Sequence, residues 1–169
     1  MKLRAVLLTV VFALACALSV QAQQPQQTGK DVHVAPNAPK DQPVDVASDE
    51  AAKKFEESLK PHIQKAKETY PAARKRFLDG LPPKHSFFVT TKLRDAEGRF
   101  EQVFIAVEKI EKGVIKGLIW NEINLVSGYK FRDSYSFPES ELLDWTISKP
   151  DGTEDGNYIG KFIDSLRGN

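Results

Sequence analysis

Cysteine is almost absent from this chain. Cys16 is the one cysteine in 169 residues, which excludes an intrachain disulfide and a zinc site built from cysteines. A charge excess is also lacking, because 24 Lys and Arg stand against 23 Asp and Glu. Nucleic-acid-binding domains usually carry a basic excess, so this balance argues against nucleic acid as a partner. The length fits one ordinary globular domain.

Familiar catalytic and cofactor motifs are missing as well. The three histidines form no His-Glu-x-x-His pair, and no Gly-x-Ser-x-Gly elbow, phosphate-binding loop or dinucleotide fingerprint occurs. Residues 151–157 imitate the first half of an EF-hand calcium loop. However, the position that needs a bidentate Glu holds Phe162. The sequence therefore predicts no metal and no cofactor.

The chain has a single long hydrophobic run. Residues 5–20 carry no charge, follow Lys2 and Arg4, and lead into Val20-Gln21-Ala22, which places small residues where signal peptidase cuts. The run is shorter than the roughly 20 residues that a bilayer-spanning helix needs. This pattern predicts a signal peptide over residues 1–22, a periplasmic or secreted mature protein, and no transmembrane segment after cleavage.

Cys16 permits a second interpretation of the same run. In a lipoprotein signal it would become the lipidated first residue of the mature chain. Ala13 stands where such signals usually carry leucine. We keep lipidation as the alternative to simple cleavage after Ala22.

Residues 23–47 differ in composition from the rest of the chain. They contain four prolines and a Gln-rich start, and they have no aromatic residue. Such a segment buries too little apolar surface to offset the entropy lost on ordering it, so it predicts a disordered spacer. Residues 48–169 then form the single folded domain.

An amphipathic helix is predicted to open this domain. Ser48 followed by Asp49 and Glu50 is a typical helix start. Apolar residues then recur every three or four positions over 25 residues: Ala52, Phe55, Leu59, Ile63, Ala66, Tyr70, Ala73 and Phe77. Pro61 and Pro71 interrupt the pattern, and the alternatives are one kinked helix or several short ones. We expect a break near Pro61.

Beyond Gly80 the hydrophobic period changes from helical to alternating. Strands are predicted at residues 87–93, 100–107, 114–120, 135–137 and 143–147, and a short helix is predicted after Gly156-Asn157. The connections between the first strands are too short for parallel crossovers, so an antiparallel meander is expected. The predicted fold class is α+β, with an N-terminal helical region and a short C-terminal helix packed on the sheet.

Residues 87–166 carry four short motifs in order: Glu101-Gln102-Val103-Phe104-Ile105, Gly117-Leu118-Ile119-Trp120-Asn121-Glu122, Leu143-Asp144-Trp145 and Gly156-Asn157-Tyr158. Together they resemble the bacterial domain-of-unknown-function family 2314, the YegJ-like proteins. Gln102, Phe104 and Ile123 replace the His, Trp and Pro typical of that family. The resemblance implies a compact α+β domain, sometimes exported, with no assigned chemistry. This chain lacks the histidine that the family carries at the position of Gln102.

Three carboxylates are the candidate catalytic residues. Glu101, Glu122 and Asp144 lie at or near predicted strand ends and would form an acid/base pair if the fold brought them together. Glu101 shares the more aliphatic side of its strand with Val103. Its carboxylate must therefore be partnered or have a raised pKa. The structural alternative is an ion pair or the capping of a turn.

Two tryptophan-containing segments are the candidate binding residues. The first segment is Trp120, Asn121 and Glu122, the second is Asp144 and Trp145, and Asp155 and Asn157 are further polar groups. All of these residues would suit a recognition patch. The alternative is that both tryptophans belong to the core. We therefore predict a non-catalytic module that binds a protein or a cell-envelope component. The alternative is a small carboxylate-dependent hydrolase acting on cell wall or sugars.

Overall fold

The structure is a computed structural model that describes Ala38 and residues 49–167. The predicted signal peptide, Ser48 and the predicted spacer other than Ala38 lie outside the described residues. The elements in chain order are α1 (Asp49–Asp79), β1 (Ser86–Arg94), β2 (Phe100–Glu111), β3 (Val114–Ile119), β4 (Ser134–Pro138), a 3₁₀ turn (Glu139–Glu141), β5 (Asp144–Ser148), β6 (Glu154–Gly156) and α2 (Tyr158–Arg167). The predicted α+β class is confirmed.

α1 is a single helix of 31 residues that passes through both prolines. The expected break near Pro61 was wrong. Pro61 and Pro71 lie on the exposed side of the helix, as do Glu57 and Lys67, whose carbonyl groups lose their N–H partners. Water can donate hydrogen bonds to those carbonyl groups, while the apolar stripe stays continuous on the other side. Burial of the stripe therefore holds the helix together across each proline.

All strand pairs in the six-stranded sheet are antiparallel, in the order β4-β3-β2-β1-β5-β6. The predicted meander describes β1 to β4. From β4 the chain returns through the 3₁₀ turn to the far side of β1, where β5 pairs. The short β6, which the sequence did not predict, extends this edge by pairing with β5.

The β2–β3 turn shows how local chemistry sets the register. Lys112 and Gly113 both have positive φ, at 51° and 77°. These angles fit the two-residue turn that matches the twist of paired strands. Ile110 consequently lies opposite Ile115, and both side chains enter the core.

The sheet has two faces of different character. On the first face α1 packs through Ala66, Tyr70 and Ala73 onto the main hydrophobic core. Its sheet members alternate along the strands and include Phe87, Val89, Val103, Ile105, Ile115, Ile119, Phe137, Trp145 and Ile147. Residues paired across neighbouring strands have their side chains on the same face of the sheet. Strand alternation therefore builds this core.

The second face carries the intervening residues. Along β1 they are Ser86, Phe88, Thr90, Lys92 and Arg94, and their partners lie beside them: Phe100, Gln102, Phe104 and Ala106 in β2, Leu118 in β3, and Asp144, Thr146 and Ser148 in β5. Hydroxyl groups and cations are more frequent here than on the first face.

Among residues 49–167 no helix combines the length and apolar character needed to cross a bilayer.

Candidate functional site

Glu101 organises a loop. Its position opposite Leu93 places it on the first face, as the alternation of β2 predicted. Its carboxylate accepts hydrogen bonds from the backbone N–H groups of Asn124, Leu125 and Val126 at 2.8–3.3 Å. A carboxylate engaged by three backbone donors is a strong structural clamp. The loop after β3 is thereby tied to the start of β2.

Asp144 is the most deeply buried carboxylate of the three, at 1% exposed. One oxygen accepts the backbone N–H of Ile159 in the first turn of α2 at 2.7 Å, and the other accepts the N–H of Trp145 at 2.7 Å. Burial nevertheless raises the pKa of Asp144 to about 6, against these hydrogen bonds. Its carboxylate satisfies free N–H groups at the start of a helix and anchors α2 to β5.

The three candidate catalytic carboxylates do not form an acid/base pair. Asp144 lies beside Thr90 on the second face, whereas Glu101 lies beside Leu93 on the first. Strand spacings put their α-carbons about 14 Å apart. Glu122 is exposed in the loop after β3. The sheet therefore separates Glu101 from Asp144, and the three carboxylates share no common cleft.

Trp145 is a core residue. It is 5% exposed, and its indole Nε1 donates to the carbonyl of Ala66 at 3.2 Å and to Oγ1 of Thr69 at 3.0 Å. Gly156 passes directly over it, and a Cβ there would collide with the carbonyl oxygen of Trp145. The tryptophan thus joins α1, β5 and β6, and it offers no surface to a ligand.

Asp155 and Asn157 also have structural partners. Asp155 accepts from Lys149 at 2.8 Å and from Arg76 at 2.9 Å, and the Lys149 hydrogen bond lowers the pKa of its carboxyl group. Asn157 has a left-handed φ of 54°, and its side chain donates to Glu154 at 2.7 Å. The polar groups near β6 therefore connect the edge strand to both helices.

Trp120 has a different environment. It is half-buried and its ring contacts Phe88 on the second face, with the ring centroids 6.2 Å apart. On the outer side it meets Phe131 at 5.1 Å, and the guanidinium group of Arg132 lies 5.8 Å from its ring centroid. Asn121 is buried and accepts the backbone N–H of Phe104 at 2.5 Å, which fixes the chain after Trp120 against β2.

A second aromatic ring on this face is arranged in the same way. Phe100 is partly exposed, and Nζ of Lys92 lies 4.1 Å from its ring centroid, with the Arg94 guanidinium group at 5.5 Å. Cations at these distances are attracted to the ring face. We name Phe100, Trp120, Phe131, Lys92, Arg94 and Arg132 the aromatic–basic surface.

Sequence reasoning found only Trp120 among these six residues. The alternation of β2 did place Phe100 with Gln102 and Phe104. The missing signal was the register of β1, which sets Lys92 and Arg94 beside Phe100. Phe131 and Arg132 lie in a loop, where no periodicity indicates direction.

A shallow cleft adjoins the aromatic–basic surface at the edge of β1. Its volume is about 430 Å³, and it is lined by Thr91, Lys92, Arg94, Tyr135, Glu141 and Leu143. β5 pairs with β1 only as far as Thr90, so the edge of β1 beyond that residue faces this cleft. Lys92 and Arg94 belong to both features, which extends the basic character of the surface around the sheet edge.

The described residues contain no group of three or more His, Cys, Asp or Glu side chains placed to hold a metal ion. In the segment that imitates a calcium loop, Asp151 instead accepts from the backbone N–H and hydroxyl group of Thr153, at 2.9 and 2.7 Å. These bonds are typical of an aspartate that shapes a turn. Asp155, the other acid at a ligand position, is engaged by its two cations.

Comparison with known proteins gives no relative: no family model matches the chain, and no similar curated protein or solved structure was found. The resemblance to domain-of-unknown-function family 2314 therefore stays a prediction. The structural observations point to the aromatic–basic surface as the candidate site.

Proposed function

We propose that this chain is an exported, non-catalytic interaction module that binds a protein or a cell-envelope component through the aromatic–basic surface. The observation that carries the proposal is that two ring–cation groups, Phe100 with Lys92 and Arg94, and Trp120 with Phe131 and Arg132, belong to the same side of the sheet. Phe131 is 41% exposed and Phe100 39% exposed. Aromatic and arginine side chains contribute most of the binding energy at recognition surfaces.

The chemistry of this surface favours an anionic partner. Lys92, Arg94 and Arg132 lie beside the rings. Lys92 also pairs with Glu56 of α1 at 3.1 Å, whereas Glu101 is engaged in its loop and Asp144 at α2. Carboxylate or phosphate groups of a partner would pair with the cations. Its apolar groups would pack on the rings.

Two further observations support binding over hydrolysis. Asp144 and Glu101, on opposite sheet faces, cannot act on one bond. In addition, Trp145, Asp155 and Asn157 have partners within the fold. Export is supported by the sequence of residues 1–22 alone.

The test is a binding measurement with matched variants. Residues 23–169 serve as bait in a periplasmic extract, and each captured protein is purified and titrated by calorimetry. Trp120→Ala and the pair Phe131→Ala/Arg132→Ala should weaken binding at least about 10-fold, the effect expected of hot-spot residues. Leu78→Ala, a control that removes an exposed apolar side chain from the end of α1, should leave binding unchanged. Equal affinity of the three variants and wild type would contradict the proposal.

A further inference from the structure

β5 covers only part of the β1 edge that faces away from β2. The two strands pair as far as Thr90, which lies opposite Asp144. The N–H group of Leu143 also donates to the carbonyl of Thr90, at 2.8 Å. Before Leu143 the chain forms the 3₁₀ turn Glu139–Glu141, which does not continue the pairing. Residues 91–94 of β1 therefore extend beyond the end of β5.

The backbone of Lys92 faces this open side. In a strand, the backbone groups of successive residues point alternately to the two sides of the strand. The carbonyl of Thr90 points toward Leu143, away from β2. The N–H and C=O groups of Lys92, two residues further along, therefore point away from β2 as well. So do those of Arg94, whose carbonyl accepts the hydroxyl group of Tyr129 at 2.9 Å.

Three backbone groups on this side have no hydrogen-bond partner among residues 49–167. They are the N–H and C=O groups of Lys92 and the N–H group of Arg94, and we name them the open edge of β1. They lie along the cleft of about 430 Å³ that Lys92 and Arg94 help to line. This volume is typical of ligand sites, and unpaired backbone groups at a strand edge are a template for another chain.

The two outermost strands of the sheet, β4 and β6, offer poorer edges. β4 has five residues and ends with Pro138, and β6 has three residues. Short edge strands and proline both oppose pairing with another chain. Charged side chains also protect edges, but those of Lys92 and Arg94 lie over the ring of Phe100, at 4.1 and 5.5 Å. Because Phe100 belongs to β2, both cations lie on the side of β2 rather than across the open edge.

We infer that the open edge of β1 binds an extended acidic segment of a partner protein, which joins the sheet as an antiparallel strand. In this mode of recognition, main-chain hydrogen bonds supply affinity and alternate side chains supply specificity. The inference deepens the proposed function and rests on it in one respect, namely that the partner is a protein. It adds the conformation in which that partner binds and the backbone groups that hold it.

The side chains on the second face favour an acidic segment. A residue paired with Lys92 would place its side chain on that face, beside Lys92 and Arg94. Lys92 already pairs with Glu56 of α1 at 3.1 Å. Arg94 is exposed, and none of the carboxylates in residues 49–167 pairs with it. A carboxylate of the segment would therefore meet an exposed guanidinium group that can form a bidentate pair.

The neighbouring residues of the segment would point to the opposite side of the sheet. Tyr135, which packs against the main core on the first face, lines the cleft together with Leu143. Both side chains offer apolar surface. Glu141 also lines the cleft, and it would repel a second carboxylate on this side. The site therefore selects a segment in which acidic and apolar residues alternate.

Synthetic peptides test the inference. The probe is a fluorescently labelled hexapeptide of alternating glutamate and valine, which is titrated with residues 23–169 and followed by fluorescence anisotropy. The control peptide alternates lysine and valine. We expect the acidic peptide to bind with a Kd below about 1 mM, and the lysine peptide to bind at least about 10-fold more weakly. No binding of the acidic peptide at about 1 mM, or equal binding of both peptides, would overturn the inference.

N-methylation identifies the side of the peptide that is bonded. In the inferred pairing the glutamate opposite Lys92 exchanges both backbone hydrogen bonds with it, whereas the valine backbone groups point outward. Methyl groups on the glutamate nitrogens should therefore weaken binding at least about 10-fold, and methyl groups on the valine nitrogens less than about 2-fold. The reverse order, or equal affinity of the two methylated peptides, would contradict the pairing.

Matched variants of Lys92 separate its backbone from its side chain. Lys92→Ala keeps the N–H group, whereas Lys92→Pro removes it without breaking a hydrogen bond to β2, as proline on an edge strand permits. Lys92→Pro should bind the acidic peptide at least about 10-fold more weakly than Lys92→Ala. Circular dichroism and the melting temperature establish that both variants are folded. Equal affinity of the two folded variants would overturn the inference.

Amide exchange followed by nuclear magnetic resonance locates the bound peptide. Saturating acidic peptide should slow exchange at Lys92 and Arg94 at least about 10-fold. Exchange at Ser136, an exposed residue of the outermost strand β4, should not change. Slower exchange at Ser136 alone would place the peptide on the wrong edge and would overturn the inference even if every peptide affinity were as expected.

A failure of this inference is distinguishable from a failure of the proposed function. Trp120→Ala leaves the open edge intact, so it should bind the acidic peptide within about 2-fold of wild type. Loss of peptide binding in this variant would contradict the assignment to the open edge. A captured partner whose affinity is unchanged by the Trp120 and Phe131 variants contradicts the proposed function. A peptide whose affinity is unchanged by N-methylation and by Lys92→Pro contradicts the inference.

Discussion

The two tryptophans show how differently the two faces of the sheet are built. Trp145 on the first face contacts helix, sheet and edge strand, and both of its indole hydrogen-bond partners belong to α1. Trp120 on the second face contacts other aromatic rings and a cation, and it is only partly buried. The same residue type therefore serves packing on one face and offers a recognition surface on the other.

This contrast follows from what each face is packed against. A face covered by an amphipathic helix excludes water, so its polar atoms must be paired inside the domain. At the aromatic–basic surface, Lys92 and Arg132 remain in contact with solvent and lie over ring faces. Such groups can exchange water for a partner at little cost. Matched substitutions on the two faces should therefore have different effects.

The largest expected effect is on stability at the first face. Trp145→Ala should lower the free energy of unfolding by about 3–5 kcal/mol, because it leaves a cavity in the core and removes the ties to Ala66 and Thr69. Trp120→Ala should lower it by about 1–2 kcal/mol, because that residue is only partly buried. Urea unfolding of both variants measures the difference. Equal losses would show that the two faces are not distinct in packing.

The next largest effect is a pH dependence of the free energy of unfolding, which arises at Asp144, the first residue of β5. Burial raises the pKa of Asp144 to about 6 from the ordinary value of 3.8. The folded protein then holds a proton that the unfolded chain releases, so this contribution is fully present below about pH 4 and lost as pH rises to about 6. The loss amounts to up to about 3 kcal/mol. Between pH 4 and pH 7, the free energy of unfolding of wild type should fall relative to that of Asp144→Asn.

Asp155 provides the control of opposite sign. Its pKa is lowered, chiefly by Lys149, so its contribution is present at neutral pH and is lost as pH falls through its folded-state pKa. Relative to Asp155→Asn, wild type should therefore lose stability on acidification. The same direction of change in both comparisons would contradict the assignment of Asp144 as a carboxyl group that prefers its proton.

Much of the fold was accessible from periodicity. The stripe from Ala52 to Phe77 predicted the buried side of α1, and the alternation of β2 placed Glu101 on the first face. The expected break at Pro61 was wrong because local proline chemistry costs about 3 kcal/mol, less than burial of the stripe contributes. β6 has three residues, Glu154–Gly156, with no apolar alternation, and forms only because β5 presents an edge.

The site was less accessible because it depends on strand order. Trp120 and Trp145 each stand beside polar residues at a strand end, so the same two interpretations, core or recognition surface, applied to both. Only the pairing of β5 with β1, which the chain reaches from β4 through residues 139–143, places them on opposite faces. The contact between Trp120 and Phe131 depends likewise on a loop conformation that no local pattern encodes.

The smallest predicted effect compares two neighbouring carboxylates. Glu101→Gln should lower the free energy of unfolding by about 1–3 kcal/mol, because a neutral amide replaces a charged acceptor of three backbone N–H groups. Glu122→Gln, an exposed position in the same loop, should change it by less than about 0.5 kcal/mol. Hydrogen exchange should also quicken at Asn124 and Leu125 in the first variant only. Matching behaviour of the two variants would mean that an interaction other than the Glu101 carboxylate holds the loop. That other interaction would then also fix the position of Trp120 on the second face.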